Sequence, residues 1–293
     1  MSALFQRAYS VQIGALPVQV ARGVIAQPAD SSTVKMFKIT GLRIEFKVHK
    51  SKKKEPNTLD LKITNLSKQT RDQLTGKGVP VILSAGYVGT QAVIFSGEAR
   101  TIDHVDQGHG EWFTHVQCGD GERAFGFAEF RATFAKGAAF GDVLKACAQS
   151  LSPNLGNLSD VLSGNLPIAN FARGYTAAGK SKEIMDALTK SVGYTWSVQD
   201  GAFAFVKVGA ASSAKAIKIS TATGMVGSPD HAAPEKKGGK PILKVKVLLQ
   251  PSIKCGSVID VEASGIRGQF TVDEVTHTGD SHGLPWYTEI KAT

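Results

Sequence analysis

The sequence contains few cysteines: three in 293 residues, at Cys118, Cys147 and Cys255. They lie far apart and form no CxxC pair, so the close ligand spacing of common zinc sites is missing. An odd number of separated cysteines is typical of reduced, packed thiols in a protein made in a cytosol. We therefore expect no disulfide framework.

Long apolar runs are also absent from the sequence. No stretch of eighteen or more apolar residues occurs, so no membrane insertion by this chain is expected. Residues 1–9 lack a long apolar segment and a small-residue cleavage site, so a cleaved secretion signal is not expected either. The composition, 42% hydrophobic and 20% charged with 31 glycines, is ordinary for a globular protein of two or three domains.

Acidic residues are in the minority, because 25 Asp and Glu stand against 34 Lys and Arg, a net charge of +9. Residues 31–90 hold twelve basic and four acidic residues, a balance of +8, whereas residues 101–130 hold one Arg and six acidic residues, a balance of −5. Such polarity can steer unlike surfaces together or hold a polyanion. A solvated, lysine-rich hairpin tip at residues 50–57 is the simpler explanation of the basic excess, and we favour it.

Strict alternation of apolar and polar residues predicts β-strands in the first third of the chain. In residues 42–48 the apolar side chains share one face, and the other face carries Arg43, Glu45 and Lys47. That polar face meets solvent or a water-filled channel, and the alternation fits both. Further strands are predicted in segments 9–28, 59–63, 79–87, 91–99, 101–106 and 112–118, with a short helix that begins at the N-cap Ser67. Residues 9–122 thus predict an antiparallel barrel.

The middle of the chain has a different pattern. Helical spacing predicts helices over residues 140–151 and 182–192, the second ended by Gly193. Asp200-Gly201 between two alternating segments predicts a type I′ hairpin. Two helices and a hairpin describe a small α/β insert.

The last fifty residues read as a strand-turn-strand unit, in which short apolar runs are separated by Gly and Pro. Residues 226–241 are poor in apolar side chains and predict a mobile loop before it. The sequence therefore predicts a mainly β protein with an α+β insert, divided into residues 1–125, 126–208 and 209–293.

Gly174–Ser181 matches the P-loop pattern that binds phosphate. That chemistry requires a buried strand before the loop, and the preceding segment is broken by Pro167 and Asn170. Ser181 also serves as an N-cap for the next helix, with Gly179 easing the turn. We therefore favour coincidence over nucleotide binding.

Two groups of histidines are candidates for metal or catalytic sites. His104, His109 and His115 match no familiar metal spacing, and ordinary surface histidines are the preferred interpretation. His277, Asp280 and His282 lie on a predicted tight turn, where a shared hydrogen-bond network is favoured. No GxSxG motif occurs. No catalytic residue, cofactor or metal is predicted, and nothing argues for an enzyme.

An oligonucleotide-binding barrel is a weaker alternative. It requires aromatic side chains on the solvent face of a basic strand. Phe46 instead shares a face with Leu42, Ile44 and Val48, which predicts a core position.

Several segments, taken in order, resemble the central baseplate hub protein of contractile-tailed bacteriophages, of the Mu-like and T4-like type. The matching segments are residues 42–48, 56–67, 93–99, 188–201 with Trp196-Ser-Val-Gln-Asp-Gly, and 268–290. They span most of the chain. The Gly-Lys-Ser sequence at 179–181 is not something this family needs, which agrees with its interpretation as a coincidence.

The resemblance implies that the two β-rich ends are tube-type antiparallel β-barrel domains flanking the α/β domain. It implies a homotrimeric, pseudo-hexameric ring that joins a sixfold tail tube above to a threefold central spike below, surrounded by other baseplate proteins. DNA would cross its lumen transiently. The expected location is the virion tail baseplate, assembled in the cytoplasm of the bacterial host. Our hypothesis is that Arg43, Glu45 and Lys47 face the lumen or a neighbouring copy.

Overall fold

The structure is a computed structural model that describes residues 5–15, 35–52, 55–120, 128–151, 154–164, 166–207, 216–232, 241–263 and 265–293. The strands in these ranges are β1 (Arg7–Ala15), β2 (Lys35–Ile39), β3 (Ile44–Ser51), β4 (Thr58–Thr64), β5 (Pro80–Tyr87), β6 (Ala92–Gly108), β7 (Glu111–Gly119), β8 (Glu129–Phe134), β9 (Tyr175–Lys180), β10 (Tyr194–Gln199), β11 (Ala202–Lys207), β12 (Ile217–Ile219), β13 (Asp230–Ala232), β14 (Ile242–Leu248), β15 (Val258–Ala263), β16 (Ile266–Asp280) and β17 (Trp286–Ala292).

The helices in the same ranges are α1 (Lys68–Gln73), α2 (Phe140–Leu151), α3 (Leu158–Ser163) and α4 (Ser181–Ser191), with a 3-10 turn at Thr221–Thr223. Across these described ranges, no helix combines the length and apolar character needed to cross a membrane. The protein is therefore built mainly from strands, as the alternation predicted.

Thirteen of the described strands form one sheet that contains both ends of the chain. Its order is β13-β14-β17-β16-β3-β4-β7-β6-β5-β1-β2, with β15 added to β16 and β12 added to β15. The long strand β16 makes this continuity possible. Its first half pairs with β15, and its second half pairs with β17 on one side and β3 on the other.

The first core lies beneath strands β1–β7. Period-2 alternation places Ile44, Phe46 and Val48 inside, and Phe46 is only 4% exposed. Leu249 and Trp286 from the C-terminal part of the chain belong to the same core. The predicted inward position of Phe46 is confirmed, and the two halves of the chain share packing as well as hydrogen bonds.

Local sequence signals in this part predict the described elements. Helix α1 begins after Ser67, whose Oγ accepts a hydrogen bond from the Thr70 amide at 3.2 Å. The hairpins β5–β6 and β6–β7 both form, and β6 is one strand shared between them. Strand β1 covers the start of the predicted segment 9–28, and residues 16–28 of that segment lie outside the described residues.

The second core belongs to the insert, which is larger than two helices and a hairpin. Helix α3 and the antiparallel strand pair β8–β9 are additional elements that the sequence interpretation missed. The predicted type I′ turn is confirmed, because Asp200 and Gly201 have φ angles of 56° and 79°. Gly193 follows α4 with a φ of 74°, as a C-terminal glycine stop requires.

The third core lies beneath β14–β17 and the segment 217–232. One end of this segment pairs with β15 as β12, and the other end pairs with β14 as β13. The Val226 amide also donates to the Lys246 carbonyl at 2.8 Å. The prediction of a mobile loop at 226–241 is therefore wrong for residues 226–232, and residues 233–240 lie outside the described residues. The domain boundaries at 125 and 208 stay predictions.

Candidate functional site

The most extensive feature formed by both ends of the chain is a polar surface on the outer side of strands β14, β17, β16, β3, β4 and β7. Side chains on these strands alternate between core and surface, so every second residue contributes to it. We call this surface the polar face; its residues are Lys244, Lys246, Glu289, Lys291, Glu274, Thr276, Thr278, Glu45, Lys47, His49, Asp60, Lys62 and His115.

The polar face is concave. One groove of about 480 Å³ lies over β3, β4, β6 and β7 and reaches the turn at Leu284 and Pro285. A second groove of about 810 Å³ lies over β3, β4, β14, β16 and β17 and reaches Asp230. Lys47 and Asp60 line both grooves, so the two form one continuous surface across the β3–β16 junction.

Basic and acidic side chains on the polar face lie next to each other across neighbouring strands. Lys246 Nζ lies 3.2 Å from Glu289 Oε1, and Lys291 Nζ lies 2.7 Å from Glu274 Oε2. His115 Nε2 lies 3.0 Å from Asp60 Oδ1. Cross-strand pairs of this kind stabilise a sheet and leave its surface with little net charge.

The structure places Glu45 and Lys47 on the polar face and brings Arg43 into contact with Glu45. Arg43 precedes β3, and its Nη2 lies 2.7 Å from Asp280 and 3.2 Å from Glu45. Lys47 lies on the polar face between Thr278 of β16 and Asp60 of β4. The contact of Arg43 with Asp280 was missed because 237 residues separate the two in sequence. That these three residues face a lumen or a neighbour stays a prediction.

Asp280 is the acidic centre of the β16–β17 turn. Burial opposes its ionisation, but hydrogen bonds from Arg43 and from the amides of His282 and Gly283 outweigh burial and lower the pKa of its carboxyl. Arg7 also binds this turn, because its guanidinium donates hydrogen bonds to the carbonyls of Asp280 and Gly283. A charged network therefore fixes the edge of the polar face.

The first histidine group does not converge on a metal site. His104 lies opposite Thr114 and His115 lies opposite Asp103, so the two imidazoles point to opposite faces of the β6–β7 hairpin. His104 instead bonds Thr114 Oγ1 at 2.9 Å and the Leu74 carbonyl at 3.0 Å. Across the described part of the chain, no cluster of three or more potential metal ligands is present.

The second group does not share one hydrogen-bond network, which corrects the sequence interpretation. His277 lies within β16, is fully buried and bonds Thr288 Oγ1 at 2.9 Å. Burial lowers the pKa of His277 to about 3, so its imidazole is neutral. His282 lies in the turn, where its amide donates to Asp280 and its ring contacts the Ser281 hydroxyl.

The P-loop match does not form a phosphate-binding loop. Tyr175–Lys180 is strand β9, paired antiparallel with β8. Ser181 is not the N-cap, which is Lys180; Ser181 is the first helical residue, fully buried, and its Oγ accepts from the Ser150 hydroxyl at 2.8 Å. A strand and a buried hydroxyl replace the exposed loop that a phosphate requires, so coincidence is the correct interpretation.

All three cysteines are free, as predicted from their number and spacing. Cys118 and Cys147 are buried, and Cys255 is partly buried. Burial raises the pKa of each thiol to about 12. Thiols of this kind are unreactive at neutral pH, because the thiolate is the nucleophile.

A buried polar cluster joins the insert to the β3–β4 hairpin, and the sequence interpretation missed it. Lys50 is 4% exposed, and its Nζ lies 2.6 and 2.7 Å from the two carboxylate oxygens of Asp200. Asn57 is buried beside it and donates to Asp120, to the Val198 carbonyl and to Gln199. The prediction that residues 50–57 form a solvated tip is therefore wrong for Lys50 and Asn57.

Asp120 completes this cluster. Its Oδ1 accepts from the Gly201 amide at 3.0 Å. Burial, with the charge of nearby Asp200, raises the pKa of Asp120 to about 6. Two carboxylates thus approach one buried ammonium group where the β10–β11 turn meets strands β3, β4 and β7.

Comparison with solved structures identifies known proteins that share this architecture. No protein-family model and no curated sequence matches the chain. The 43 kDa tail protein of prophage MuSo2 from Shewanella oneidensis matches with a TM-score of 0.61 over 98% of both chains, at 8% identity. A tail protein from Neisseria meningitidis MC58 matches with a TM-score of 0.60 over 97% of this chain and 96% of its own, at 10% identity. This chain has a phage tail protein fold.

A third match extends the comparison beyond phages. An E. coli component of the type VI secretion system, itself structurally similar to T4 tail proteins, has a TM-score of 0.57. It covers 86% of this chain and 74% of its own, at 11% identity. The mainly β, tail-type fold that the segment resemblance implied is therefore confirmed, and closure of its two ends into barrels stays a prediction.

Proposed function

We propose that this chain is a non-enzymatic structural protein of a tail baseplate, a hub of three copies arranged as a pseudo-hexameric ring. The observation that carries the proposal is the β3–β16 junction, which joins two β modules into one sheet with one polar face. A ring built from such chains contains six β modules, and its lining is continuous within each chain. Similarity to tail proteins over almost the whole chain supports the same role.

Closure of each β module into a barrel is the finer part of this proposal. Segment 217–232 pairs with β15 at one end and β14 at the other, so it lies across the gap between the two strands. On the N-terminal side, Tyr9 of β1 donates its hydroxyl to the Leu42 carbonyl just before β3. Closed barrels with similar outer edges suit head-to-tail contacts that close into a ring.

The partners follow from this role. A hub ring contacts the tail tube or a tail-end ring above, the central spike below and other baseplate proteins around it, and DNA crosses its lumen transiently. It resides in the virion tail and assembles in the cytoplasm of the bacterial host. In this arrangement Arg43, Glu45 and Lys47 line the lumen or meet a neighbouring copy.

A nucleic-acid-binding β-barrel is the alternative, and it differs in its salt response. Specific or non-specific capture of DNA weakens steeply as salt rises, because phosphate contacts release counterions. Two of the five lysines on the polar face, Lys246 and Lys291, are held in ion pairs with Glu289 and Glu274, which reduces the number of cations available for such contacts. We therefore prefer the ring.

Light scattering at low and high salt tests the ring. We expect a particle of three times the 31.0 kDa chain at both salt concentrations, and no change on adding ATP. With co-expressed tube and spike proteins, we expect a larger complex that contains three copies of this chain. Reversal of charge at Arg43, Glu45 and Lys47 should impair assembly or DNA delivery by tails. A chain that stays monomeric at every concentration, and with those partners, contradicts the proposal.

A further inference from the structure

The charges that line the two grooves of the polar face balance one another. Six carboxylates line the grooves: Glu45, Asp60, Asp230, Glu274, Asp280 and Glu289. Five lysines line them too, and Arg43, which pairs with Glu45 and Asp280, is the sixth cation. The whole chain carries +9, so its positive excess lies away from this concave surface.

The balance depends on particular neighbours in the strand register. Glu45 lies opposite Lys62, and Asp60 lies opposite Lys47, on the paired strands β3 and β4. Glu289 lies opposite Lys246 on β17 and β14, with an ion pair between them. Glu45 and Asp60 face Lys62 and Lys47 across the register, while their own direct contacts are with Arg43 and His115. Each of the three acids therefore lowers the positive potential at a lysine that would otherwise attract a phosphate.

We propose that the polar face is a charge-balanced track for double-stranded DNA, in which Glu45, Asp60 and Glu289 keep three lysines from capturing phosphates. The ligand class rests on the proposed function, in which DNA crosses this surface. Lysine contacts give transient attraction, and the carboxylates on the neighbouring strands lower the positive potential at each ammonium group and repel the phosphate. Such a surface lets a polyanion move along it without a stable complex.

Neutral substitutions of similar shape isolate this effect. The track variant is Glu45→Gln, Asp60→Asn and Glu289→Gln. The control variant is Glu129→Gln, Glu262→Gln and Asp72→Asn, which removes the same groups. The control acids are also exposed and ion-paired, to Arg131, Lys218 and Lys68, but line neither groove. Both variants have the same net charge, so only the location of the change differs.

The proposal is tested by measuring how a fluorescein-labelled DNA duplex binds each protein. Fluorescence anisotropy gives the affinity across a series of salt concentrations. Three newly available lysines should make the slope of log Kobs against log salt steeper by about 2.7 in the track variant. Its gain in affinity should then shrink about 40-fold between about 50 and 200 mM salt. The control variant should keep the slope of the unmodified protein.

Three results would overturn the proposal. An equal gain in DNA affinity in both variants would assign the effect to net charge. No gain in the track variant would show that the three acids do not restrain the lysines. If the unmodified protein already binds DNA with the salt slope expected of the track variant, its groove charges are not balanced. The particle mass of each variant is measured separately. Failure to form a ring contradicts the proposed function. The comparison of DNA binding between the track and control variants can be interpreted in any oligomeric state.

Discussion

The carboxyl group of Asp120 makes the stability of the folded protein depend on pH. Its pKa is raised to about 6 in the folded protein, from an ordinary value of 3.8, chiefly by burial. The folded state therefore binds a proton more readily than the unfolded state between these values. Its contribution makes the protein more stable as pH falls from about 6 to 3.8, by roughly 3 kcal/mol at most.

Asp120→Asn should remove that contribution. We expect the variant to gain less stability than the unmodified protein on acidification from pH 6 to pH 4, measured as the free energy of unfolding in urea. The comparison must be between the two proteins, because His277 acts in the opposite direction. Its pKa is lowered to about 3 from 6.5, so its contribution is lost as pH falls through that range. Identical pH profiles for the two proteins would refute the assignment.

At the scale of single elements, strand β16 has a glycine where it crosses between the two halves of the sheet. Gly279 lies directly opposite Phe46 of β3 and Trp286 of β17. The two rings meet edge to face, with centroids 5.4 Å apart, across the position that a side chain would occupy. A Cβ atom at Gly279 would lie 2.4 Å from Phe46 Cζ.

Gly279→Ala should therefore destabilise the protein by about 1–3 kcal/mol, the usual cost of overpacking a core. Chemical denaturation measures the change, and Thr278→Ala, on the polar face of the same strand, is the control. Adding Phe46→Leu to Gly279→Ala should recover part of the loss, because the two sites share one space. Equal stability of Gly279→Ala and Thr278→Ala would show that the rings move aside freely.

The elements that were predictable carry local signals. The alternation around Phe46, the N-cap Ser67 and the Asp200-Gly201 turn each specify their structure within a few residues. Strand β9 was missed because Tyr175–Lys180 contains two small alanines and a glycine in place of an apolar alternation. Its identity as a strand comes from pairing with β8, some forty residues earlier. Tertiary context, rather than propensity, decided that element.

The candidate site was predictable only in part for the same reason. Alternation around Glu45 and Lys47 was enough to predict a polar face on one strand. The joining of that face to β16 and β17 depends on hydrogen bonds between residues more than two hundred positions apart. Asp280 and the Lys50 cluster therefore have no local sequence signal.

For the whole molecule, the buried cluster around Lys50 determines how the insert is attached. In the described part of the chain, residues 198–201 of the insert form hydrogen bonds with Lys50, Ser51, Asn57 and Asp120 of the β modules. Removing one partner of a buried ion pair leaves an uncompensated charge, which typically costs 3–5 kcal/mol. In Lys50→Met, both Asp200 and Asp120 lose their nearby cation.

We expect Lys50→Met to weaken this attachment by an amount of that order, with the loss concentrated at the insert. Hydrogen exchange read by mass spectrometry should show faster exchange in β10, β11 and α4 than in β3–β7. Lys52→Met is the matched control, because its Nζ contacts Asp273 at 3.0 Å with both side chains about one-third exposed. Exposed pairs contribute at most about 1 kcal/mol, so the control should exchange like the unmodified protein.

A second substitution separates the charge from the packing. Asp200→Asn added to Lys50→Met removes the carboxylate that has lost its ion-pair partner. Part of the protection of the insert against hydrogen exchange should therefore return. If Lys50→Met and Lys52→Met exchange alike, or if the double variant is worse than the single one, the buried cluster does not hold the insert. Attachment would then depend on the other hydrogen bonds between residues 198–201 and the β modules, which do not involve Lys50.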